Sequence, residues 1–295
     1  MKKAAVLPRQ TLRSRAILAL IVTAVAWSSS GLLIKLIAWN PMAIAGARSL
    51  ISALVLLIYL RRPRITWSLN QIVAAVAYAG TMFTFVAANK LTTSANAIFL
   101  QYLSPVFVAI LGIWLLGERP RPVEWLIIAV VIAGMGLFFV DRLTLSGLAG
   151  NIIAIISGMF FAVFIVFMRK QHSGSPLESM FLGHLLAAAL SIPFWFGLPS
   201  PGLTGGLSLL ALGVFQIGLS SVTFAFAVKH LTALATSILT LIEPVLNPVW
   251  VLLFVGERPS PATIAGGAII LAMVTLRSIL TIRTVRQDEQ KSPVT

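Results

Sequence analysis

The sequence predicts an all-α integral membrane protein, with ten transmembrane helices arranged as two inverted five-helix repeats around a central cavity. Three observations carry that prediction. The 295-residue chain is 58% hydrophobic and only 10% charged, where soluble domains carry roughly 25% charged residues. Apolar stretches of about 20 residues, the length of one membrane helix, recur along nearly all of it. The tetrapeptide GERP closes two of those stretches, at Gly117–Pro120 and Gly256–Pro259, 139 residues apart.

Runs such as WLIIAVVIAGMGLFFV (125–140) are apolar on every side. A membrane β-barrel needs alternation, so these runs are read as helices. Turn residues and charges bound ten spans, at roughly 16–38, 41–60, 70–90, 94–116, 122–140, 147–169, 177–198, 205–229, 232–255 and 261–282. Residues 1–15 and 283–295 read as short polar tails. The opening MKKAAVLPRQTLRSR is read as the flank of a first span and not as a signal peptide, because the following run is too long and leads into further spans.

Charge sets the expected orientation. With the N-terminus inside, the inner segments hold seventeen of the twenty-two lysines and arginines, and the outer ones hold only Lys90, Arg142 and Arg258. That bias predicts that both termini are cytoplasmic. The net charge of +14 therefore reads as a topology signal, with the lipid bilayer as partner, since no basic patch suited to nucleic acid is formed. The chain has no cysteine, which excludes disulfides and cysteine-based metal sites. No cofactor or metal is expected.

The GERP copies end spans four and nine, so the repeat unit is five helices: 16–140 and 147–282. An odd number of spans turns the second copy upside down. Pro105/Pro244, Pro122/Pro261 and Ala129/Ala268 keep the same 139-residue offset, which extends the likeness beyond a helix-ending Gly and a helix-starting Pro. Inverted repeats of this kind build one midplane site that faces either side in turn.

Polar side chains inside spans are costly, so their placement is informative. In span nine, Thr236, Thr240, Glu243 and Asn247 recur at helical spacing and predict one polar stripe. Glu243 is the carboxylate nearest the midplane, and Pro244 and Pro248 remove backbone donors beside it. A role for Glu243 in pairing a substrate ammonium or carrying a proton stands against a structural one, protonated and hydrogen-bonded within the bundle. Other candidate cavity residues are Trp27, Ser28 and Lys35 in span one, and Tyr78, Thr81 and Phe85 in span three, with Asn89 on the same face. Gln101 and Tyr102 in span four, Phe160 and Phe164 in span six, and Gln216, Ser220 and Thr223 in span eight complete the set. Pro105, Pro244 and Pro248 are candidate hinges. Lys35 and Arg48 are expected to snorkel to the outer headgroups, or else to face an outer vestibule and attract a carboxylate. His184 and Trp250 read as packing or interface residues.

The segments WSSSGLLIK (27–35), ANKLTTSANAIFLQYLSPVFVAILGIWLLGERPRP (88–122) and VKHLTALATSILTLIEPVLNPVWVLLFVGERPSP (228–261), with Arg48, resemble the drug/metabolite transporter superfamily in its ten-helix EamA-type branch. Within it the chain most resembles bacterial exporters of aromatic and other amino acids, though it carries WSSSG where many members have Trp-Gly. The resemblance implies outward transport of small metabolites across the inner membrane.

An aromatic, hydroxyl-lined cavity with few fixed charges suits small amphipathic solutes. The expected function is a secondary transporter exporting amino acids by alternating access; ten helices are enough for a monomer to enclose the cavity. The alternative is a multidrug, nucleoside or lipid-like exporter on the same fold. An enzyme is not expected: H-E-x-x-H, G-x-S-x-G and a Walker loop are all missing from the sequence.

Overall fold

A computed structural model describes residues 9–29, 33–34, 36–92, 94–140, 147–171, 176–255 and 260–291, and every regular element among them is helical. Lys35, His172 and the second GERP lie outside the described residues. In the first half, α1 (Arg9–Ser28), α2 (Pro41–Leu60) and α3 (Leu69–Leu91) form the first three spans. Span four is divided into α4 (Ser94–Gln101) and α5 (Ser104–Leu116), and span five is α6 (Pro122–Phe139). In the second half, α7 (Leu148–Lys170) is followed by α8 (Pro176–Ser191), which a 3-10 turn at Ile192–Phe194 prolongs. Span eight comprises α9 (Gly202–Ala211), a π-helical segment (Leu212–Leu219) and α10 (Ser220–His230). Span nine is divided into α11 (Ala233–Leu239) and α12 (Ile242–Val255), and span ten is α13 (Pro261–Lys291).

Eight stretches are long and apolar enough to cross a membrane, and two shorter apolar helices, Pro122–Phe138 and Ala233–Leu246, fall where spans five and nine are expected. The helices at both ends outrun the sequence reading. α1 begins at Arg9 and α13 runs to Lys291, so parts of the segments read as tails (1–15 and 283–295) are helical. Charge ends the membrane-embedded stretch, but it does not end a helix.

Local chemistry explains the boundaries. The Asn40 side chain accepts from the Ala43 N–H at 2.9 Å, with Pro41 in the first turn of α2. Ser68 caps α3 at the Gln71 N–H, and the Gln71 side chain in turn accepts the N–H groups of Thr66 and Trp67. α5 ends where Gly117 takes φ +68, a left-handed conformation that glycine adopts without a Cβ clash. α6 then starts on Pro122, with the Glu124 carboxylate accepting the Arg121 N–H at 2.6 Å.

The two breaks fall at matching points. Two residues separate α4 from Ser104–Pro105, and two separate α11 from Ile242, ahead of Pro244. Each proline lacks the N–H that would bond the carbonyl one turn earlier, so the helix restarts. α12 passes through Pro248 without a further break.

Helix packing follows one rule of exchange. α3 lies along α7, and α10 lies along α1; α3 also meets α8, as the π segment of span eight meets α2. α4 and α5 pack on α7, and α11 and α12 pack on α1. The remaining main pairs, α2 with α8, α6 with α13 and α5 with α11, exchange into themselves. For these pairs, adding five to each span number, modulo ten, returns the same set; smaller contacts of α1 with α13 and of α7 with α10 and α11 lack such a counterpart. A bundle core of Phe164, Phe224, Met168, Met180 and Leu20, all fully buried, fills the space these pairs enclose.

Candidate transport site

The two helix breaks meet through one strong hydrogen bond. Tyr102, in the turn between α4 and α5, donates its Oη to Glu243 Oε2 at 2.5 Å. Glu243 sits in the first turn of α12, one residue before Pro244. Tyr102 is buried, whereas Glu243 is only partly buried. One layer further toward α5 and α11, Ser104 Oγ and Ser237 Oγ approach to 3.4 Å. Gln101, whose carbonyl Pro105 leaves free, turns its side chain to Ser157 Oγ of α7 at 2.9 Å.

Next to this pair lies an aromatic and polar layer. Trp27 donates Nε1 to Ser220 Oγ at 2.9 Å, and its ring tilts against Phe224 at 5.2 Å. Phe224 stacks on Phe164 at 5.5 Å, and Phe164 touches Tyr78 at 5.0 Å. Tyr78 Oη and Ser221 Oγ each lie 3.4 Å from His184 Nε2. Thr23 and Thr223 share a 2.7 Å hydroxyl bond between α1 and α10. The π segment turns Gln216 so that its Nε2 reaches the Trp27 carbonyl at 3.4 Å. Widened helical turns of this kind free backbone and side-chain groups and occur at functional sites.

The sequence-predicted residues divide into those that meet and those that do not. Trp27, Tyr78, Phe164, Gln216, Ser220 and Thr223 belong to the aromatic layer, and Tyr102 with Glu243 to the break. Trp250 joins Ser28, donating Nε1 to its Oγ at 2.8 Å. The span-nine stripe is not continuous, because the break separates Thr240 from Glu243. Thr236 and Thr240 are fully buried and bond back to their own helix, at Thr232 O and Ser237 O. Thr81 does the same at Ala77 O. Phe85, with Leu100 and Ile153, packs against the small cluster of Ala88, Ala97 and Ala154. Phe160 lies against Gly80, and it is Phe161 that meets Trp27, so Phe160 and Phe164 of α7 face different neighbours. The side chains of Asn89, Asn247 and Pro248 lie outside the described residues.

Arg48 corrects the sequence reading most sharply. Of the two expected places, the headgroups and an outer vestibule, the first is excluded: Arg48 is 8% exposed, and Nη2 reaches the weak acceptor Met82 Sδ, at 3.4 Å. Its Nε has no partner among the described residues. Its charge interacts with Glu243, Tyr78 and His184. The guanidinium, about two turns (roughly 10 Å) inside α2, turns toward Met82 of α3 instead of running back along its own helix. His184, read as a packing residue, does pack edge-on to Tyr78 at 4.8 Å. Its Nδ1 is buried and unpartnered among the described residues.

The end of the bundle where Arg13, Arg121 and Arg277 lie, here the basic end, holds a second polar region. Arg277 and Glu124 form a buried ion pair at 2.5 Å, linking α13 to α6. Arg277 also donates to Thr281 Oγ1 at 2.7 Å and to Thr232 Oγ1 at 3.3 Å. Glu118 of the first GERP accepts from Arg169 at 3.0 Å and from the Ala233 N–H at 2.9 Å, so it caps α11. The sequence places this glutamate at a loop but gives no sign of its partners, which come from spans six and nine. A cavity of about 220 Å³ opens among these groups, floored by Val108, Gly112 and Leu234.

Comparison with known proteins accords with this arrangement. The chain is 30% identical over 199 residues to an uncharacterized transporter of Archaeoglobus fulgidus, covering 66% of this chain and 71% of that one. It is 33% identical to the pseudopaline exporter CntI of Pseudomonas aeruginosa over 60% of this chain and 63% of that protein. It is 24% identical to the threonine/homoserine exporter RhtA of Escherichia coli over 81% and 82% of the two chains. A solved crystal structure superposes with a TM-score of 0.80 at 24% identity, covering 91% of this chain and 99% of that one. The profile of the EamA-like transporter family matches twice, at residues 14–140 and 148–279. Both halves are covered, and the chain belongs to the EamA-like transporter family.

Proposed function

We propose that this multi-pass membrane protein exports amino acids, aromatic and apolar ones among them, by alternating access across the bacterial inner membrane. The observation that carries the reading is the Tyr102–Glu243 bond. It joins the broken points of spans four and nine, on a carboxylate residue that is only partly buried. Broken helices paired across a repeat axis supply free backbone groups and a polar side chain where a substrate sits. The aromatic layer around Trp27, Phe161 and Phe164 gives an apolar side chain somewhere to rest. Amino-acid export is what two of the similar proteins are named for: the threonine/homoserine exporter and a probable terminal-alkyne amino-acid exporter of Streptantibioticus cattleyicolor, 24% identical over 89% of this chain.

In this reading the basic end faces the cytoplasm, following the lysine and arginine bias, and the two halves lie inverted in the membrane. Counterflow in proteoliposomes tests it with a panel of amino acids, nucleosides and drugs. Exchange of phenylalanine or threonine is expected, and Glu243→Gln is expected to slow it by about tenfold or more. Exchange of drugs with no amino acid would replace this reading with multidrug export. Unchanged exchange in Glu243→Gln would remove Glu243 from the mechanism.

A further inference from the structure

Arg48 is a problem the fold leaves open. Arginine in a membrane span is expensive and is tolerated where it pairs or meets water. Here it is 8% exposed, on α2, and forms no ion pair among the described residues. Of its five N–H donors, Nε is buried without a partner and Nη2 has only a thioether. The hydroxyl of Ser52, one turn further on, bonds the Arg48 carbonyl and not the guanidinium. Packing alone gives no reason for the charge: an apolar residue of similar volume would fill the space between α2 and α3 without an unmet donor.

The surrounding groups suggest what is missing. Tyr78 and His184, from α3 and α8, sit within the field of the guanidinium, and His184 Nδ1 is itself unpartnered among the described residues. Of the inward carboxylates, Glu124 is paired with Arg277 and Glu178 accepts the Arg64 N–H, which leaves Glu243 as the one within the field of Arg48, although the two do not touch. One oxygen of Glu243 takes the Tyr102 hydroxyl, and the residue is only partly buried. A cation donor and an anion acceptor are thus held apart on different spans. A small solute with one charge of each sign would complete both.

We infer that Arg48 anchors the carboxylate of the transported solute while Glu243 takes its ammonium, so that the site selects a zwitterion. The inference rests on the amino-acid reading above and adds the residue that distinguishes an amino acid from an amine. Planar guanidinium and carboxylate match in a two-point hydrogen bond, which the unmet Nε supplies on one side. Lysine would keep the charge and lose that fork.

The test uses the full chain in proteoliposomes and three probes: phenylalanine, its amide (no carboxylate) and N-acetylphenylalanine (no ammonium). Affinities come from inhibition of counterflow, or from ligand-induced thermal shift of the purified protein where transport is lost. The wild type is expected to prefer phenylalanine to both analogues by about tenfold or more. In Arg48→Gln the preference over the amide disappears while binding of the amide itself is kept. In Glu243→Gln the preference over the N-acetyl compound disappears instead. Arg48→Lys restores part of the first preference. Because each variant is its own reference, a loss of folded protein does not move these ratios. Equal weakening of all three probes by Arg48→Gln would overturn the inference, as would a preference for phenylalanine that survives it. Either result leaves amino-acid export standing. If the wild type moves no amino acid, that reading falls, while Arg48-dependent binding of N-acetylphenylalanine would still support the carboxylate anchor.

Discussion

The two ends of the bundle are built from corresponding residues and closed by different chemistry. Shifting by 139 positions carries Glu124 onto Thr263 and Arg277 onto Phe138. At the basic end the α6–α13 crossing is bridged by the buried Glu124–Arg277 ion pair, with a cavity of about 220 Å³ beside it. At the far end the same crossing holds a neutral bond, from Thr263 Oγ1 to the Phe138 carbonyl at 3.1 Å. There the helices also touch backbone to backbone: a Cβ on Gly266 would lie 2.4 Å from the Phe138 nitrogen and 2.6 Å from the Gly134 carbonyl. Trp39 and Asn40 add neutral bonds to Pro199 O and Phe194 O. Repetition fixes which helices cross; the side chains decide how each crossing is held. One end is held by charged contacts, the other by close fit and neutral bonds.

The largest effect is expected from breaking the charged crossing on one side only. Arg277→Gln leaves Glu124 buried without its ion-pair partner, and the cost is roughly 3–5 kcal/mol. Thermal unfolding in detergent should show a marked loss for the single variant. The double variant Glu124→Gln with Arg277→Gln is expected to recover much of it, as a neutral pair leaves no stranded charge. A double variant as unstable as the single would show that Arg277 acts through something other than Glu124.

A smaller loss is expected at the far end. Gly266→Ala puts a methyl group against backbone that has no rotamer to yield, with a cost of about 1–3 kcal/mol. The matching position in the first half is Ile127, which is buried without such a constraint. Ile127→Ala is therefore expected to act as an ordinary cavity-forming change. If Gly266→Ala is neutral, the contrast between a fitted end and a charged end loses its steric half.

The smallest effect is expected from Thr263→Val. One neutral hydrogen bond within a membrane bundle contributes about 0.6 kcal/mol. Thermal unfolding should barely register the change. A loss as large as that of Arg277→Gln would mean that the two crossings are held alike.

Much of this fold is legible in the sequence because a bilayer imposes hard local rules. Span number, the repeat unit and the break before Pro244 follow from hydropathy, offset and the missing proline N–H. Glu243 stands out as a carboxylate far from any end. The partners of these groups are not legible. Tyr102 reads as one of several polar residues spread around span four until the break at Leu103 redirects it. Arg48 reads as a snorkelling residue because its distance from the helix end is visible and its rotation toward Met82 is not. Thr236 and Thr240 look like cavity residues by spacing, yet a hydroxyl on a helix can satisfy itself at a carbonyl one turn back. The ion pair between Glu124 and Arg277 joins residues far apart in the chain, and nothing local to either announces it.

The central claim is that the two halves cross the bilayer in opposite senses around one shared site. Arg121 and Ser260 occupy matching positions, 139 residues apart, just ahead of α6 and α13. Because the chain has no cysteine of its own, Arg121→Cys and Ser260→Cys can be labelled one at a time in intact cells with a membrane-impermeant maleimide. The account predicts that Ser260→Cys reacts from outside and that Arg121→Cys reacts only after the membrane is opened. Reaction of both from the same face would contradict it.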